Sequence, residues 1–321
     1  MSQSVVCQAP IPSFEMTDEQ IINLFLASYR DRSEYTIRNY RFAIERFRQF
    51  IYPKRLGDVQ WTDIEDYKNA LLTGRFTSEG RKLSSASAAV HLASIRSLYK
   101  WASDPNIGLL PHNPTTPIRL PRIHISDRNR YLTMNELEKL LAALKSQSNR
   151  NHLLGLMLAL TGLRVSELVR LQWNDFQEAV MGSSIWLIVR RGKGGKSRDV
   201  KVPDILWEII LKYRNDQRLN PGEPSDNRVF PISVRQVDRI LVKARKSCSL
   251  TKKATPHWFR HTSATLALLH GASLQQVQQS LGHTDITTTQ RYLHTVEQIK
   301  KSAPDYVADS LKGFLESVEK K

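Results

Sequence analysis

The sequence has few cysteines, no long apolar run and comparatively few acidic residues. Its two cysteines, Cys7 and Cys248, stand far apart, which argues against a disulfide framework and against the close pairing of a structural zinc site. No stretch approaches the roughly 18 apolar residues of a membrane-spanning helix, and the first residues lack the basic and apolar regions of a signal peptide. We therefore predict a cytoplasmic protein with reduced cysteines and no membrane partner.

Positive charge, by contrast, is in excess. The 47 Lys and Arg residues outnumber the 31 Asp and Glu residues, which gives a net charge of +16 and a pI near 9.9. Most of this excess lies after residue 120. A positive charge of this size is typical of proteins that bind phosphate-rich molecules, so nucleic acid is the predicted partner. The alternative is a basic surface that serves solubility alone.

The chain is too long for one typical core and is predicted to fold as two domains. Helical periodicity follows Thr17, whereas four prolines from Pro111 to Pro121 can neither continue a helix nor donate fully to a sheet. Thr133 and Glu136 then stand in capping-box spacing and open a second folding unit. The predicted divisions are a flexible N-terminus at 1–16, a four-helix domain at 17–110, a proline-rich linker at 111–127, a second domain at 128–302 and an amphipathic C-terminal helix at 303–321.

The second domain is predicted to be helical except for one β-hairpin, in which SSIWLIV and RDVKVP flank the glycine-rich turn RRGKGGKS. The predicted fold class is therefore mainly α with a small β-sheet. Lys193 lies at the hairpin tip, where a mobile cation could donate a proton to a leaving oxygen or could only hold a phosphate. The other hairpin cations predicted to contact DNA are Arg190, Arg191, Lys196 and Arg198.

The segment TGLRVSEL places an arginine where an anion is favoured. Gly162 stops an apolar helix, and Arg164 falls at the start of the next one, where backbone N–H groups lack partners. Glu167 lies one turn further on the same face and could orient the guanidinium of Arg164. The alternative interpretation of this pair is an ordinary surface ion pair.

Four more residues indicate a function only when they are considered together. His257 and Arg260 share the first turn of one helix, His283 follows a later helix, and Tyr292 lies in the helical segment after it. Taken singly, these histidines could be capping or core residues and Tyr292 could serve packing. Together they suit attack on a phosphodiester, because two fixed guanidinium groups stabilise the charge that develops and let a phenol act as nucleophile.

In order and in content, these motifs resemble the tyrosine recombinase (phage integrase) family over nearly the whole chain. The segments on which the resemblance rests are TGLRVSEL, RGKGGKSRDV, HWFRHTSATLALLHGASLQQVQQSLGH and TTTQRYLH. The resemblance implies a C-shaped clamp made of a SAM-like four-helix core-binding domain and a mixed α/β catalytic domain of the DNA breaking-rejoining type. It implies six catalytic residues, with Glu167 as an accessory acid. The six are Arg164, Lys193, His257, Arg260, His283 and Tyr292.

The same resemblance implies a 3′-phosphotyrosine intermediate, a Holliday junction and neither a metal nor another cofactor. It implies double-stranded DNA with paired, inverted-repeat-like sites as partner, a dimer on each site and a tetramer in synapsis. The short N-terminus leaves no room for an arm-binding domain, so the simple, Xer-like or transposon-borne kind is expected. The C-terminal helix is expected to dock on a neighbouring protomer, the alternative being its own domain.

Two alternative functions fit the same residues: a type IB topoisomerase that relaxes DNA without pairing sites, and a DNA-binding regulator that has lost activity. The presence of all six catalytic residue types argues against the regulator. Most basic residues outside the hairpin are expected to hold phosphates, with a few reading bases. The candidates for these contacts are Arg38, Arg41, Arg46, Arg96, Arg235, Arg239, Lys243 and Arg245.

Overall fold

The computed structural model describes residues 16–76, 80–122, 131–179, 182, 184–190, 197–218 and 227–318. It divides into two compact units, Met1–Ile125 and Ser126–Lys321. No helix among the described residues is long and apolar enough to cross a membrane.

The first unit contains the four helices that the sequence predicts. They are α1 (Asp18–Ala27), α2 (Glu34–Ile51), α3 (Trp61–Thr73) and α4 (Ser85–Ala102). Thr17 begins α1 with a capping box to Gln20, which satisfies backbone donors at the helix start. Phe47 and Tyr67 are fully buried between the helices, with ring centroids 5.1 Å apart. Apolar faces at helical spacing therefore build one core.

The segment after α4 packs onto this core. Leu110 and Ile118 are buried in it, and the imidazole of His112 bonds the Val59 carbonyl at 3.0 Å. The guanidinium of Arg96 donates to the carbonyl of Ile118. Helix α4 ends at Ala102, nine residues before Pro111, and the apolar residues Leu110 and Ile118 of the proline-containing segment that follows cover the core. Residues 110–118 thus belong to the first unit, although they overlap the predicted linker at 111–127.

The second unit is helical around a small sheet. Its helices are α5 (Met134–Gln147), α6 (Asn149–Thr161), α7 (Val165–Leu168), α8 (Asp204–Arg218), α9 (Val234–Ser247), α10 (Pro256–Leu269), α11 (Leu274–Leu281), α12 (Ile286–Lys300) and α13 (Ala303–Val318). Its strands are β1 (Phe176–Glu178), β2 (Ile185–Val189) and β3 (Arg198–Val202). Helix α6 is central, with four side chains (Leu153, Leu154, Met157 and Leu158) fully buried.

The strands form one antiparallel sheet in the order β1-β2-β3. Leu187 of β2 stands opposite Val200 of β3, and both side chains are buried against the core. The alternation of buried and outward residues along β3 is that of a sheet with one covered face. The sequence predicts β2 and β3; the three-residue β1 has no periodicity of its own to detect.

Candidate active site

The turn between α6 and α7 brings Arg164 to the site. Gly162 adopts a left-handed conformation with φ of 61°, and a Cβ there would lie 2.6 Å from Cδ2 of Leu281. The positive φ favours glycine, and any side chain here would also have to displace the Leu281 methyl group. Arg164 is the N-cap of α7, as predicted, but this helix has only four residues. Its dipole is correspondingly small, so the positive charge of the site comes from side chains.

Glu167 is the acceptor that organises two arginines. Its Oε1 accepts from Nη1 of Arg164 at 2.9 Å and from Nη1 of Arg198 at 2.9 Å. Its Oε2 accepts from the backbone N–H of Arg164 at 2.8 Å and from Nη2 of Arg198 at 2.8 Å. These four hydrogen bonds fill the acceptor capacity of a carboxylate. The predicted role of Glu167 toward Arg164 thus has a matching geometry.

The ionisation of Glu167 reflects this surrounding charge. Its side chain is only 6% exposed. Burial by itself raises the pKa of Glu167, but the hydrogen bonds and charge of Arg198, together with the bonds from Arg164, outweigh burial and bring the pKa down to about 2. Glu167 is therefore a carboxylate throughout the physiological range and fixes both guanidinium groups as ion-pair partners.

Two carbonyl groups at the C-terminal end of α11 accept hydrogen bonds from arginines. Nε of Arg198 donates to the Ser280 carbonyl at 2.7 Å, and Nη2 of Arg260 donates to the Leu281 carbonyl. The last carbonyls of a helix lack intrahelical partners and carry the negative end of its dipole, so guanidinium groups suit this position. Arg260 also donates from Nη1 to the Gly162 carbonyl at 2.7 Å. Arg260 thereby connects the glycine turn that follows α6 with the end of α11.

Arg260 is the most deeply placed of these cations, with 4% of its surface exposed. Burial and the neighbouring charges of Arg164 and Arg198 lower the pKa of Arg260 to about 10, while Glu167 and Tyr292 act in the opposite direction. Three guanidinium groups face one carboxylate, which leaves a net charge of +2. A site with this surplus attracts an anion such as a phosphodiester.

His283 is held as a neutral imidazole. It follows Gly282, which ends α11 with φ of 65°, and its Nδ1 lies 2.9 Å from Oγ1 of the buried Thr289. Burial, followed by the charges of Arg260 and Arg164, lowers the pKa of His283 to about 4. In the tautomer in which Nδ1 accepts from the Thr289 hydroxyl, the neutral ring carries its proton on Nε2 and can donate a hydrogen bond there.

Tyr292 of α12 lies between two imidazole rings. Its ring is nearly parallel to that of His283, with centroids 6.2 Å apart, and meets the edge of the His261 ring at 5.1 Å. Only 6% of Tyr292 is exposed. The Nε2 atoms of His257 and His261 are 2.8 Å apart. The structure thus brings His257, Arg260, His283 and Tyr292 together with Arg164.

Three features of this site were not predicted. His261 stands one turn after His257 on α10, a spacing visible in HWFRH, yet it was not singled out. Thr289 is one of several threonines in TDITTTQ, and only its burial distinguishes it. Arg198 was predicted to contact DNA, but its side chain is 10% exposed and bonded to Glu167. Its partners are distant in sequence, so the hairpin pattern does not reveal them.

The remaining predicted DNA contacts fall into three groups. Arg191, Lys193 and Lys196 lie outside the described residues. Arg46 and Arg96 donate to backbone carbonyls within the first unit, at Phe76 and Ile118, and Arg245 is half-buried. The exposed candidates are Arg38, Arg41, Arg190, Arg235, Arg239 and Lys243. Of these, Arg41 pairs with Glu45 at 3.6 Å and Arg190 pairs with Asp175 at 3.0 Å.

The sequence matches the phage integrase family over residues 130–298 and the phage integrase N-terminal SAM-like domain over residues 22–105. The chain belongs to the phage integrase family. A tyrosine recombinase of Pseudothermotoga lettingae is 32% identical over 87% of this chain and 94% of that protein. The tyrosine recombinase XerC of Pediococcus pentosaceus is 31% identical over 89% of this chain and 97% of that protein.

A lambda integrase tetramer bound to a Holliday junction has a similar fold. Its TM-score is 0.66 at 21% identity, and the match covers 88% of this chain and 84% of that chain. The predictions of a tyrosine recombinase of the phage integrase family, with a mainly helical fold and a small antiparallel sheet, are therefore confirmed. The roles of the individual residues stay predictions.

Proposed function

We propose that this chain is a site-specific DNA recombinase whose nucleophile is Tyr292. The observation that carries the proposal is the convergence of Arg164, Arg260 and His283 on one buried tyrosine, in a cluster with surplus positive charge. Tyr292 raises the pKa of Arg260, so a phenolate at this position would be stabilised by that guanidinium. A phenol needs such help because its reference pKa is about 10.

In the proposed reaction, the Tyr292 oxygen attacks a DNA phosphorus, and the bond from phosphorus to the 5′ oxygen breaks. Arg164 and Arg260 stabilise the non-bridging oxygens, and the neutral His283 donates to one of them. The phenol proton passes to the His257–His261 pair, which can accept one proton. Lys193 is proposed to protonate the leaving oxygen. The product is a 3′-phosphotyrosine; a 5′ hydroxyl of another strand can attack its phosphorus, which forms a new phosphodiester and releases Tyr292.

For the assembly, we propose a dimer on each pair of inverted-repeat-like sites and a tetramer in synapsis, in the cytoplasm. The lambda integrase tetramer on a Holliday junction supports this part of the proposal. The exposed cations Arg235, Arg239 and Lys243 on α9 are proposed to hold phosphates. Integration or excision of a mobile element and Xer-like resolution of dimers are the tasks that fit this chemistry.

The experiment is covalent trapping on DNA whose sequence is not presupposed. Duplexes with a randomised 40-bp centre and a single nick are incubated with the protein in EDTA, and DNA attached to protein is recovered after denaturation in SDS. We expect an adduct that selects related sequences. Tyr292→Phe should form none while still binding the selected duplex, and Tyr52→Phe, at an exposed tyrosine that follows α2, should behave as wild type.

Failure of the wild-type protein to form an adduct with any duplex in the pool would contradict the proposal. So would an undiminished adduct in Tyr292→Phe. The selected duplex is then placed twice in one plasmid. A recombinase exchanges the two copies, whereas a type IB topoisomerase relaxes the plasmid with no exchange.

A further inference from the structure

We propose that Arg198 is a positioning residue that holds Arg164 and the end of α11 in their reactive arrangement, and that it does not contact DNA. This inference rests on the proposed function of the site. The hairpin segment from Arg190 to Lys201 contains six basic residues, which sequence alone does not tell apart. The structure separates Arg198 from Arg190, the other described hairpin cation predicted to contact DNA, through its contacts and its burial.

The first argument is the geometry of the contact with Glu167. Arg198 offers Nη1 to Oε1 and Nη2 to Oε2, so both carboxylate oxygens are held by one planar fork. Two such parallel bonds fix the plane and the rotation of the carboxylate. The same two oxygens receive Nη1 and the backbone N–H of Arg164. The orientation of the Arg164 guanidinium is therefore set by a carboxylate that Arg198 immobilises.

A second argument is the third bond of the same guanidinium. Nε of Arg198 donates to the Ser280 carbonyl, and the following carbonyl, that of Leu281, accepts from Arg260. One side chain from β3 thus connects α7, through Glu167, to the end of α11. The positions of Arg164 and Arg260 are coupled through it. A lysine could supply the charge but not the three bonds in these directions.

The close fit at Gly282 supports this assignment. A Cβ at Gly282 would lie 2.7 Å from Cδ and 3.1 Å from Nε of Arg198. The arginine stem crosses the backbone of Gly282 at a distance that only glycine permits. With its side chain 10% exposed and three of its five N–H groups engaged, Arg198 has little surface to offer a phosphate. Its neighbour Arg190, by comparison, has a side chain that is 61% exposed.

The test separates the rate of chemistry from the strength of DNA binding. The single-turnover rate of adduct formation is measured at saturating selected duplex, and affinity for the intact duplex is measured across salt concentrations. The variants are Arg198→Lys and Arg198→Met, with Lys212→Met as a control for loss of one exposed charge from the same unit.

We expect Arg198→Lys and Arg198→Met to lower the saturated rate by roughly tenfold or more, the effect of losing a charge-assisted hydrogen bond. Affinity should change by less than about threefold, with an unchanged salt slope. Lys212→Met should leave the saturated rate unchanged. The proposal is overturned if Arg198→Lys keeps the wild-type rate. It is also overturned if Arg198→Met reduces the salt slope by about 1, which is the signature of a phosphate contact.

A measurement without DNA keeps the inference distinct from the proposed function. The guanidinium ¹⁵N resonances of Arg164, assigned by their absence in Arg164→Lys, report its orientation and exchange in the free protein. We expect them to broaden or shift in Arg198→Lys and to stay in place in Lys212→Met. Unchanged Arg164 resonances would overturn the inference, and so would loss of the folded state in Arg198→Lys, which would make the residue a general requirement of folding. Absence of any wild-type adduct would instead count against the proposed function.

Discussion

Replacing Glu167 by Gln tests the charge balance of the site through stability. In the folded protein, the pKa of Glu167 is about 2, against 4.5 for an unperturbed Glu. At 1.36 kcal/mol for each pKa unit, this difference corresponds to about 3 kcal/mol of stability. Because the folded-state pKa is the lower one, the contribution is complete above pH 4.5 and is lost as the pH falls toward 2. About 2 kcal/mol of it should be gone at pH 3, where the unfolded state has already taken up the proton.

The assay is urea unfolding of wild type and Glu167→Gln at pH 7 and at pH 3, followed by tryptophan fluorescence. We expect the variant to be less stable by about 3 kcal/mol at pH 7, within the range for removing one partner of a buried ion pair. At pH 3, the difference should shrink to about 1 kcal/mol, because the wild-type carboxylate no longer favours the folded state as strongly. The rest of the acid response cancels in the comparison.

Glu208, exposed on α8, supplies the control. Glu208→Gln should change stability by less than about 0.5 kcal/mol at either pH. The reasoning is refuted if the difference between wild type and Glu167→Gln stays constant from pH 7 to pH 3. That result would mean that Glu167 has the same pKa in the folded and unfolded states, despite its four hydrogen bonds.

Three further predictions concern the backbone turn and the imidazole of the site. Gly282→Ala should lower stability by about 2 kcal/mol and reduce adduct formation, because Gly282 has φ of 65° and a Cβ would press on Arg198. Gly271, with φ of 95° and open space around it, supplies the control. In thermal unfolding and trapping assays, Gly271→Ala should lose stability but keep wild-type adduct formation. Thr289→Val should lower the trapping rate by roughly tenfold, because His283 loses the bond at Nδ1 that sets its tautomer. Thr289→Ser should restore most of the rate, and Val at the exposed Thr288 should have no effect; equal rates for both valine variants would contradict this role. Because the pKa of His283 is about 4, the pH profile of trapping should show no limb near pH 6.5 that depends on His283.

Local signals explain why the helices could be predicted from the sequence. Thr17 and Gln20 form the capping box that begins α1, and Thr133 and Glu136 form the one that begins α5. Gly162 ends α6 in the left-handed conformation that glycine favours. Each signal lies within a few residues of the structure that it specifies, so one sequence is enough to detect it.

The contacts of the site depend instead on long-range packing. Arg198 and Glu167 are 31 residues apart, and Arg198 and Ser280 are 82 residues apart. No periodicity or motif relates such positions, which is why Arg198 was grouped with the other hairpin cations. Thr289 was missed for a related reason, since its importance depends on burial beside His283. Sequence patterns predicted the reacting groups and Glu167, whereas the contacts of Arg198 and Thr289 became visible only in the folded chain.

At the end of α11, the arginine side chains donate their hydrogen bonds to backbone carbonyls. A carbonyl has the same chemistry whichever side chain its residue carries, so the anchor for Arg198 would survive a change of Ser280 to another small residue. The requirement for a specific residue falls on Gly282 and Gly162, where a side chain would collide with Arg198 or Leu281. Of the four residues whose carbonyls accept from the arginines, Ser280 is thereby open to substitution, whereas Gly162 and Gly282 are not. A change of Ser280 can therefore leave the guanidinium group of Arg198 in place, whereas the buried Val277 and Leu281 of α11 are constrained by packing.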